Sequence, residues 1–201
     1  MADGHEKFMR EALELAARGL GRTRPNPAVG AVLAKSNTII GTGYHHACGT
    51  PHAEIQALAG CRESPAGSTL YVTLEPCGHH GRTPPCSQAI IEAKIKTVFY
   101  GTGDPNPLTA GKGLEQMRDA GIAVVHGPLR NECDHFNAPY LKWMQQKLPL
   151  VTAKWAMTLD GKIATRLKHS KWITSEEARR FAHTLRDRVD AILVGTQTAL
   201  V

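Results

Sequence analysis

With 201 residues the chain has room for one large domain, or for one domain and a portion of another, and it is long enough to bury a core. Hydrophobic residues at 42% and charged residues at 21% are ordinary for a globular protein and exclude a disordered one. A formal charge of +6 and a pI near 9.2 suit an anionic partner, either nucleic acid or a phosphorylated small molecule, without choosing between them.

Apolar residues Phe8, Met9, Ala12, Leu13, Leu15, Ala16 and Leu20 recur at helical spacing and predict an amphipathic helix over 3–20, closed by Gly19 and Gly21. In the following Arg22-Thr23-Arg24-Pro25-Asn26-Pro27 the prolines exclude a helix and pin Asn26 in a rigid turn. Asn26 is there either a plain turn former or a presented side-chain amide. Strand-like runs at 29–34 and 39–44, joined by Lys35-Ser36-Asn37-Thr38, predict an antiparallel hairpin. His45, His46 and Cys48 follow in a polar loop, where the two histidines could serve a ligand or simply be exposed.

Beyond Pro51 the pattern predicts helix 52–58, strand 68–74, helix 86–94, strand 96–100, helix 113–120 and strand 122–125. Strands alternating with helices imply an α/β fold with a mainly parallel sheet covered on both faces, preceded by the hairpin. Asp104-Pro105-Asn106-Pro107 is a second rigid turn at the C-terminal edge of a strand, where open α/β sheets place ligands. A last helix over 131–146 carries Phe136, Tyr140 and Trp143 on one face, a stripe that reads as core or subunit interface rather than a base-stacking platform.

Leu148-Pro149 breaks the pattern, which restarts with a strand at 151–157, a turn at Asp160-Gly161, a helix over 175–187 capped by Ser175, and a strand at 191–195. About 50 residues do not easily bury a core of their own. The expected domains are therefore 1–147 and, at 148–201, the beginning of a second domain cut short. No run of about 18 apolar residues offers a membrane span, and the first residues lack the basic and apolar segments of a signal peptide, so the expected location is the cytoplasm. Five cysteines, an odd number, exclude a complete disulfide framework.

Chemistry concentrates between Pro51 and Cys86. His52, Cys77 and Cys86 offer one imidazole and two thiolates, the donors zinc prefers, and three protein ligands leave a fourth tetrahedral position for water. Glu54, two residues after the histidine, matches the acid/base of the zinc deaminase signature H-x-E…P-C-x-x-C. The departure is the gap: eight residues, Gly78 to Pro85, separate the two cysteines instead of two. His52 and Glu54 can serve one water only if both sit in the first turn of their helix, which Pro51 makes possible. Cys86, after Pro84-Pro85, starts a second helix, where free N–H groups favour a thiolate. The competing reading is a structural zinc with a fourth ligand from His79, His80, Cys48 or Cys61, which would leave Glu54 without a role. Exchange of His79 or His80 for a cysteine ligand is disfavoured by the softer thiolates, and Arg82 either approaches an anion or is merely solvated.

Pro25-Asn26-Pro27-x-Val29-Gly30, Gly43-Tyr44-His45, Pro51-His52-Ala53-Glu54, the run from Tyr71 to Cys86 and Asp104-Pro105-Asn106-Pro107 closely resemble the bifunctional riboflavin-biosynthesis deaminase/reductase family, which shows the same eight-residue gap. The resemblance implies a cytidine-deaminase-like three-layer α/β/α domain that hydrolyses the amine of 2,5-diamino-6-ribosylamino-4(3H)-pyrimidinone 5′-phosphate to give 5-amino-6-(5-phosphoribosylamino)uracil. It further implies one zinc per chain on His52, Cys77 and Cys86, proton transfer by Glu54, and a substrate site lined by Asn26, His45, Arg82 and Thr83. The positive charge then meets the substrate's phosphate.

Lys154 to Lys162, Ser170 to Ser175 and Ile192 to Gly195 look like the opening of the family's NADPH-dependent reductase domain, of dihydrofolate-reductase-like fold. There the resemblance implies cofactor contacts from Ala156, Trp172 and Thr198 and substrate contacts from Ser170 and Arg186. Most of that domain is missing from the pattern, so no reductase activity is expected of these 201 residues. The implied partner is a small phosphorylated pyrimidine, with no nucleic acid and no membrane, and a homo-oligomer is expected. A nucleic-acid editing deaminase and a non-enzymatic zinc-stabilised module are the competing functions. The first is opposed by the scarcity of aromatic residues, and the second predicts that Glu54→Gln is silent.

Overall fold

Alternation of side chains along five short strands decides how the first part of the chain is layered. In the computed structural model, which describes residues 3–81 and 84–200, the chain forms two compact units, Met1–Leu150 and Val151–Val201. The first unit runs α1 (Asp3–Ala17), β1 (Gly30–Lys35), β2 (Thr38–Tyr44), α2 (Ala53–Ala59), β3 (Thr69–Leu74), α3 (Cys86–Glu92), β4 (Thr97–Thr102), α4 (Lys112–Asp119), β5 (Ala123–His126), α5 (Arg130–Phe136) and α6 (Ala138–Gln146). The strands form one sheet in the order β2-β1-β3-β4-β5.

β1 and β2 are a hairpin closed by Ser36 and Asn37, both at positive φ (47° and 64°), the backbone that a tight two-residue hairpin turn demands. β1 also pairs antiparallel with β3, whereas β3/β4 and β4/β5 are parallel. Four strands thus point one way and β1 alone runs against them, so the sheet is more mixed than a doubly wound one.

Because successive strand residues face opposite sides, the buried residues sort into two clusters. Ala31, Leu33, Leu70, Val72 and Val98 pack with Ala53 and Ala57 of α2, Ile90 of α3, and Leu114 and Met117 of α4. On the other face Val32, Ala34 and Tyr71 pack with Phe8, Met9, Ala12 and Leu15 of α1 and Cys133 of α5. This is the expected α/β/α sandwich. Each such buried Leu, Ile or Val contributes about 1.5–3 kcal/mol.

Glycines set how closely the helices approach. A Cβ on Gly43 would stand 2.3 Å from the Ala53 carbonyl oxygen, and one on Gly41 2.4 Å from that of Ala57. α2 therefore lies directly on β2, which fixes the start of α2 at the sheet's end.

The helix expected over 131–146 is two helices. Asn137, at φ −99° and ψ 15°, ends α5 and begins α6, and Pro139 cannot donate the N–H a continuous helix requires.

In the second unit α7 (Glu176–Asp187) is capped by Ser175, whose Oγ accepts from the Ala178 N–H at 3.2 Å, and α8 (Thr196–Leu200) follows. The strands expected at 151–157 and 191–195 are not formed: both stretches are irregular, and Val151 and Leu193 are 79% and 99% exposed. An extended segment becomes a strand only when a neighbour takes its hydrogen bonds, and among the described residues of the unit none does. No helix among the described residues is long and apolar enough to cross a membrane.

Candidate metal centre and active site

His52 immediately precedes α2 with extended backbone (φ −70°, ψ 166°), so its ring stands at the helix entrance while its carbonyl accepts from Gln56 N at 3.0 Å. Glu54, in the first turn, is 3% exposed. Cys86 is the first residue of α3 and fully buried. Cys77 lies in the irregular stretch after β3, drawn to α3 by Ser87 N donating to its carbonyl at 3.1 Å and Cys86 N donating to its sulfur at 3.4 Å.

These placements bring three donors together. His52 Nδ1 is 3.2 Å from Cys86 Sγ and 3.6 Å from Cys77 Sγ, and all three ligand atoms lie within 4.8 Å of one another. Zn–N of about 2.05 Å and Zn–S of about 2.3 Å at tetrahedral angles separate neighbouring donors by roughly 3.5–3.8 Å. The three residues therefore fit one zinc ion.

The electrostatics agree with a cation at this point. Hydrogen bonds, from Cys86 first and also from His52, outweigh burial and hold the Cys77 thiol well below its usual range. Its partnership with Cys77 and its own burial hold the Cys86 thiol well above the usual range, so the two sulfurs share one proton that a metal would displace. The bond to Cys77 raises His52. Burial, then the nearby Cys77, pushes Glu54 up to about 7, where a carboxyl can both accept and return a proton near neutrality.

Among the described residues His52, Cys77 and Cys86 form the metal-competent group, and His79, His80, Cys48 and Cys61 lie outside it. His79 Nδ1 instead meets Thr109 Oγ1 at 3.3 Å, and Cys61 Sγ donates to the Ala57 carbonyl at 3.4 Å. No fourth protein ligand closes the site among these residues.

His45 is buried and tied at both ring nitrogens: Nδ1 is 3.3 Å from the Pro51 carbonyl oxygen and Nε2 is 3.0 Å from Asn26 Nδ2. A carbonyl only accepts, so Nδ1 carries the proton and Nε2 accepts from the Asn26 amide. Burial, the largest influence, lowers the His45 pKa and favours this neutral form. Arg82 and Thr83 lie outside the described residues.

Asn26, His45, His52, Glu54 and Cys77 open onto one cleft of about 380 Å³. Its far wall contains the Asp104 turn, expected near a ligand, together with Glu75 and Tyr140, for which the sequence pattern indicates no such part. Glu75, 6% exposed, uses its two carboxylate oxygens to accept from Gly111 N at 2.6 Å and Asp104 N at 3.2 Å, clamping the 104–111 loop over the cleft. Asp104 Oδ1 in turn accepts from the Tyr140 hydroxyl at 2.8 Å and from Asn106 N at 2.9 Å. The Asp104 turn stands out in the sequence as a rigid strand-end turn. Tyr140 carries no local signal, and its place on an aromatic stripe suggests packing.

In the second unit the five residues singled out are dispersed. Ala156 is half-buried in irregular chain, Ser170 is exposed, and Trp172, 69% exposed, has the Arg179 guanidinium 4.4 Å from its ring centre. Arg186 lies in the last turn of α7 beside His183, and Thr198 is exposed on α8.

An α/β/α sandwich with one imidazole, two cysteines and a buried glutamate at two helix entrances is the arrangement of a zinc-binding nucleobase deaminase. The chain belongs to the cytidine and deoxycytidylate deaminase zinc-binding family, whose model matches residues 2–102, and residues 149–201 match the RibD C-terminal domain. It is similar to the riboflavin biosynthesis protein RibD of Actinobacillus pleuropneumoniae, 52% identical over 96% of this chain and 51% of that one. Against the RibD of Aquifex aeolicus it is 51% identical over 97% of this chain and 55% of that one. A solved structure of a diaminohydroxyphosphoribosylaminopyrimidine deaminase/5-amino-6-(5-phosphoribosylamino)uracil reductase from Thermotoga maritima superposes with a TM-score of 0.94 at 48% identity, covering 99% of this chain and 57% of that one. The chain thus spans about half the length of the relatives it matches.

Proposed function

We propose that the first unit catalyses zinc-dependent hydrolytic deamination of 2,5-diamino-6-ribosylamino-4(3H)-pyrimidinone 5′-phosphate, releasing ammonia and 5-amino-6-(5-phosphoribosylamino)uracil, a step of riboflavin biosynthesis. The observation that carries the reading is the donor group of His52, Cys77 and Cys86 beside the buried Glu54 on one cleft. The similarity to the RibD proteins and to the Thermotoga maritima deaminase/reductase supports this choice of substrate.

His52, Cys77 and Cys86 would hold the metal. Zinc, when bound, supplies the Lewis acidity that makes water nucleophilic at neutral pH. Glu54 would take one proton from the attacking water and pass it to the ring nitrogen beside the reacting carbon, then take the proton of the added hydroxyl and deliver it to the departing amine, so that ammonia leaves and a carbonyl remains. Asn26 and His45 would line the substrate site beside His52, as would Arg82 and Thr83 by resemblance. Tyr140 is the only Phe, Tyr or Trp among the described lining residues, which favours a single small substrate over a nucleic-acid strand needing stacking platforms.

Asp104 would present a carboxyl oxygen to the substrate's N–H groups, and Tyr140 keeps it in place. Burial, first of all, raises the Tyr140 pKa, so its hydroxyl remains a donor throughout the physiological range. Tyr140→Phe should raise KM for deamination about tenfold with kcat little changed, the size expected for one lost hydrogen bond. Michaelis curves from ammonia release check it.

For residues 148–201 we propose the opening part of an NADPH-dependent reductase domain. Ala156, Trp172 and Thr198 would contact the cofactor and Ser170 and Arg186 the substrate, by resemblance. A homo-oligomer without nucleic-acid partners, working in the cytoplasm, completes the reading; no disulfide links the five cysteines.

The decisive experiment compares ammonia release from the phosphorylated diaminopyrimidine, free cytidine and a short RNA, with zinc counted per chain. Rapid release from the first alone, at one zinc per chain, is the expected result. Release from RNA that falls steeply with salt would replace this substrate by a polyanion.

A further inference from the structure

The unusual spacing of the two cysteines poses a physical problem. Two sulfurs separated by two residues are held by their own short turn, whereas eight intervening residues leave a loop whose ends must be brought together. Closing nine peptide links instead of three lowers the effective concentration of one sulfur at the other about fivefold, by the three-halves power of loop length. Some element outside the loop has to restore that loss.

α4 occupies the right place. Gln116, on its exposed side, donates from Nε2 to the Gly78 carbonyl at 3.0 Å and accepts at Oε1 from the Ser87 hydroxyl at 2.5 Å. Gly78 follows Cys77 and Ser87 follows Cys86, so one amide grips the chain just after each cysteine. Ser87 is fully buried, and Gln116 is its hydroxyl's acceptor. The approach is close: a Cβ on Gly113 would lie 2.1 Å from the Pro76 carbonyl oxygen, and one on Gly78 2.4 Å from Gly113 N. No side chain could be interposed between the entrance of α4 and the Pro76-Cys77-Gly78 strand end.

We propose that Gln116 is a positioning residue for the metal donors, a clip whose amide holds Cys77 and Cys86 at zinc-binding separation in place of the short loop that such sites otherwise use. This rests on the zinc site proposed above. The clip touches no metal donor and no substrate, so its effect is on how tightly the ion is held. Partners behind a ligand shell commonly alter metal affinity 10- to 100-fold.

The test measures zinc affinity by competition with a chromogenic chelator on the whole 201-residue chain, for the parent, Gln116→Leu, Gln116→Glu and Ser87→Ala. Gln116→Leu should bind zinc 10- to 100-fold more weakly and, because it also strands the buried Ser87 hydroxyl, should lower the unfolding midpoint of the zinc-free protein somewhat and that of the zinc-loaded protein by more. Gln116→Glu, which can still accept from Ser87 but no longer donate to Gly78, should fall between parent and Gln116→Leu. Ser87→Ala should weaken binding in the same direction, and provides the measurement if Gln116→Leu does not fold. A parent that binds zinc, with affinities within twofold in all variants, overturns the clip and leaves the zinc site intact. A parent that binds no zinc overturns both. Equal loss of stability with and without zinc in Gln116→Leu would mark an ordinary stabilising contact and also overturn it.

Discussion

Glu54→Gln should leave the chain folded and zinc-loaded while ammonia release falls by 10²- to 10⁴-fold, the usual contribution of a positioned acid/base. The substitution keeps the shape of a side chain that is 3% exposed and replaces a carboxyl by an amide of nearly the same size. A carboxyl pushed up to about 7 by burial gains little from being charged there, so the neutral amide should not unfold the protein. It cannot, however, take a proton from water. Circular dichroism, zinc content and ammonia release on one preparation separate the three effects. Turnover at the parental rate would remove Glu54 from the mechanism and leave the metal to a structural part.

The second large effect concerns the fold. Gly30→Val should destabilise the first unit by about 3 kcal/mol or more, beyond the ordinary cost of overpacking. A Cβ there would sit 2.0 Å from the Ala12 carbonyl oxygen and 2.6 Å from Ala16 N, both backbone atoms of α1 that no rotamer change can move. Either α1 lifts from β1 or the strand buckles. Gly4→Ala is the control: it lies in the same helix, meets nothing within 4 Å, and should be neutral or slightly stabilising. Urea midpoints of the two variants against the parent decide the matter.

Local chemistry is what a linear pattern records, and the parts of this protein that depend on it were legible. The hairpin shows in Ser36-Asn37, and Val29 to Ala34 and Ser68 to Leu74 betray their strands by β-branched and apolar content. Pro51 and the Pro84-Pro85 pair announce the two helix entrances where His52 and Cys86 stand. Features that depend on distant partners were not legible. The hairpin foretells β1 against β2, but nothing near β1 says that its other edge pairs antiparallel with β3. Tyr140 meets Asp104 across 36 positions, and its stripe with Phe136 and Trp143 suggested one continuous packing helix, although the chain breaks at Asn137. The same lack of a partner explains the two strands expected in the second unit. Val151 to Met157 has strand-like residues, but hydrogen bonding to a neighbour, rather than composition, makes a strand.

The double tether of the His45 ring reaches further than its own tautomer. With one Asn26 N–H committed to the ring, the amide cannot exchange its oxygen for its nitrogen, and the imidazole is held in a single orientation. This rim of the cleft therefore shows any visitor an unchanging order of donor and acceptor. Pyrimidine analogues that demand the reverse order along that edge should consequently be poor inhibitors, however well their outline fits.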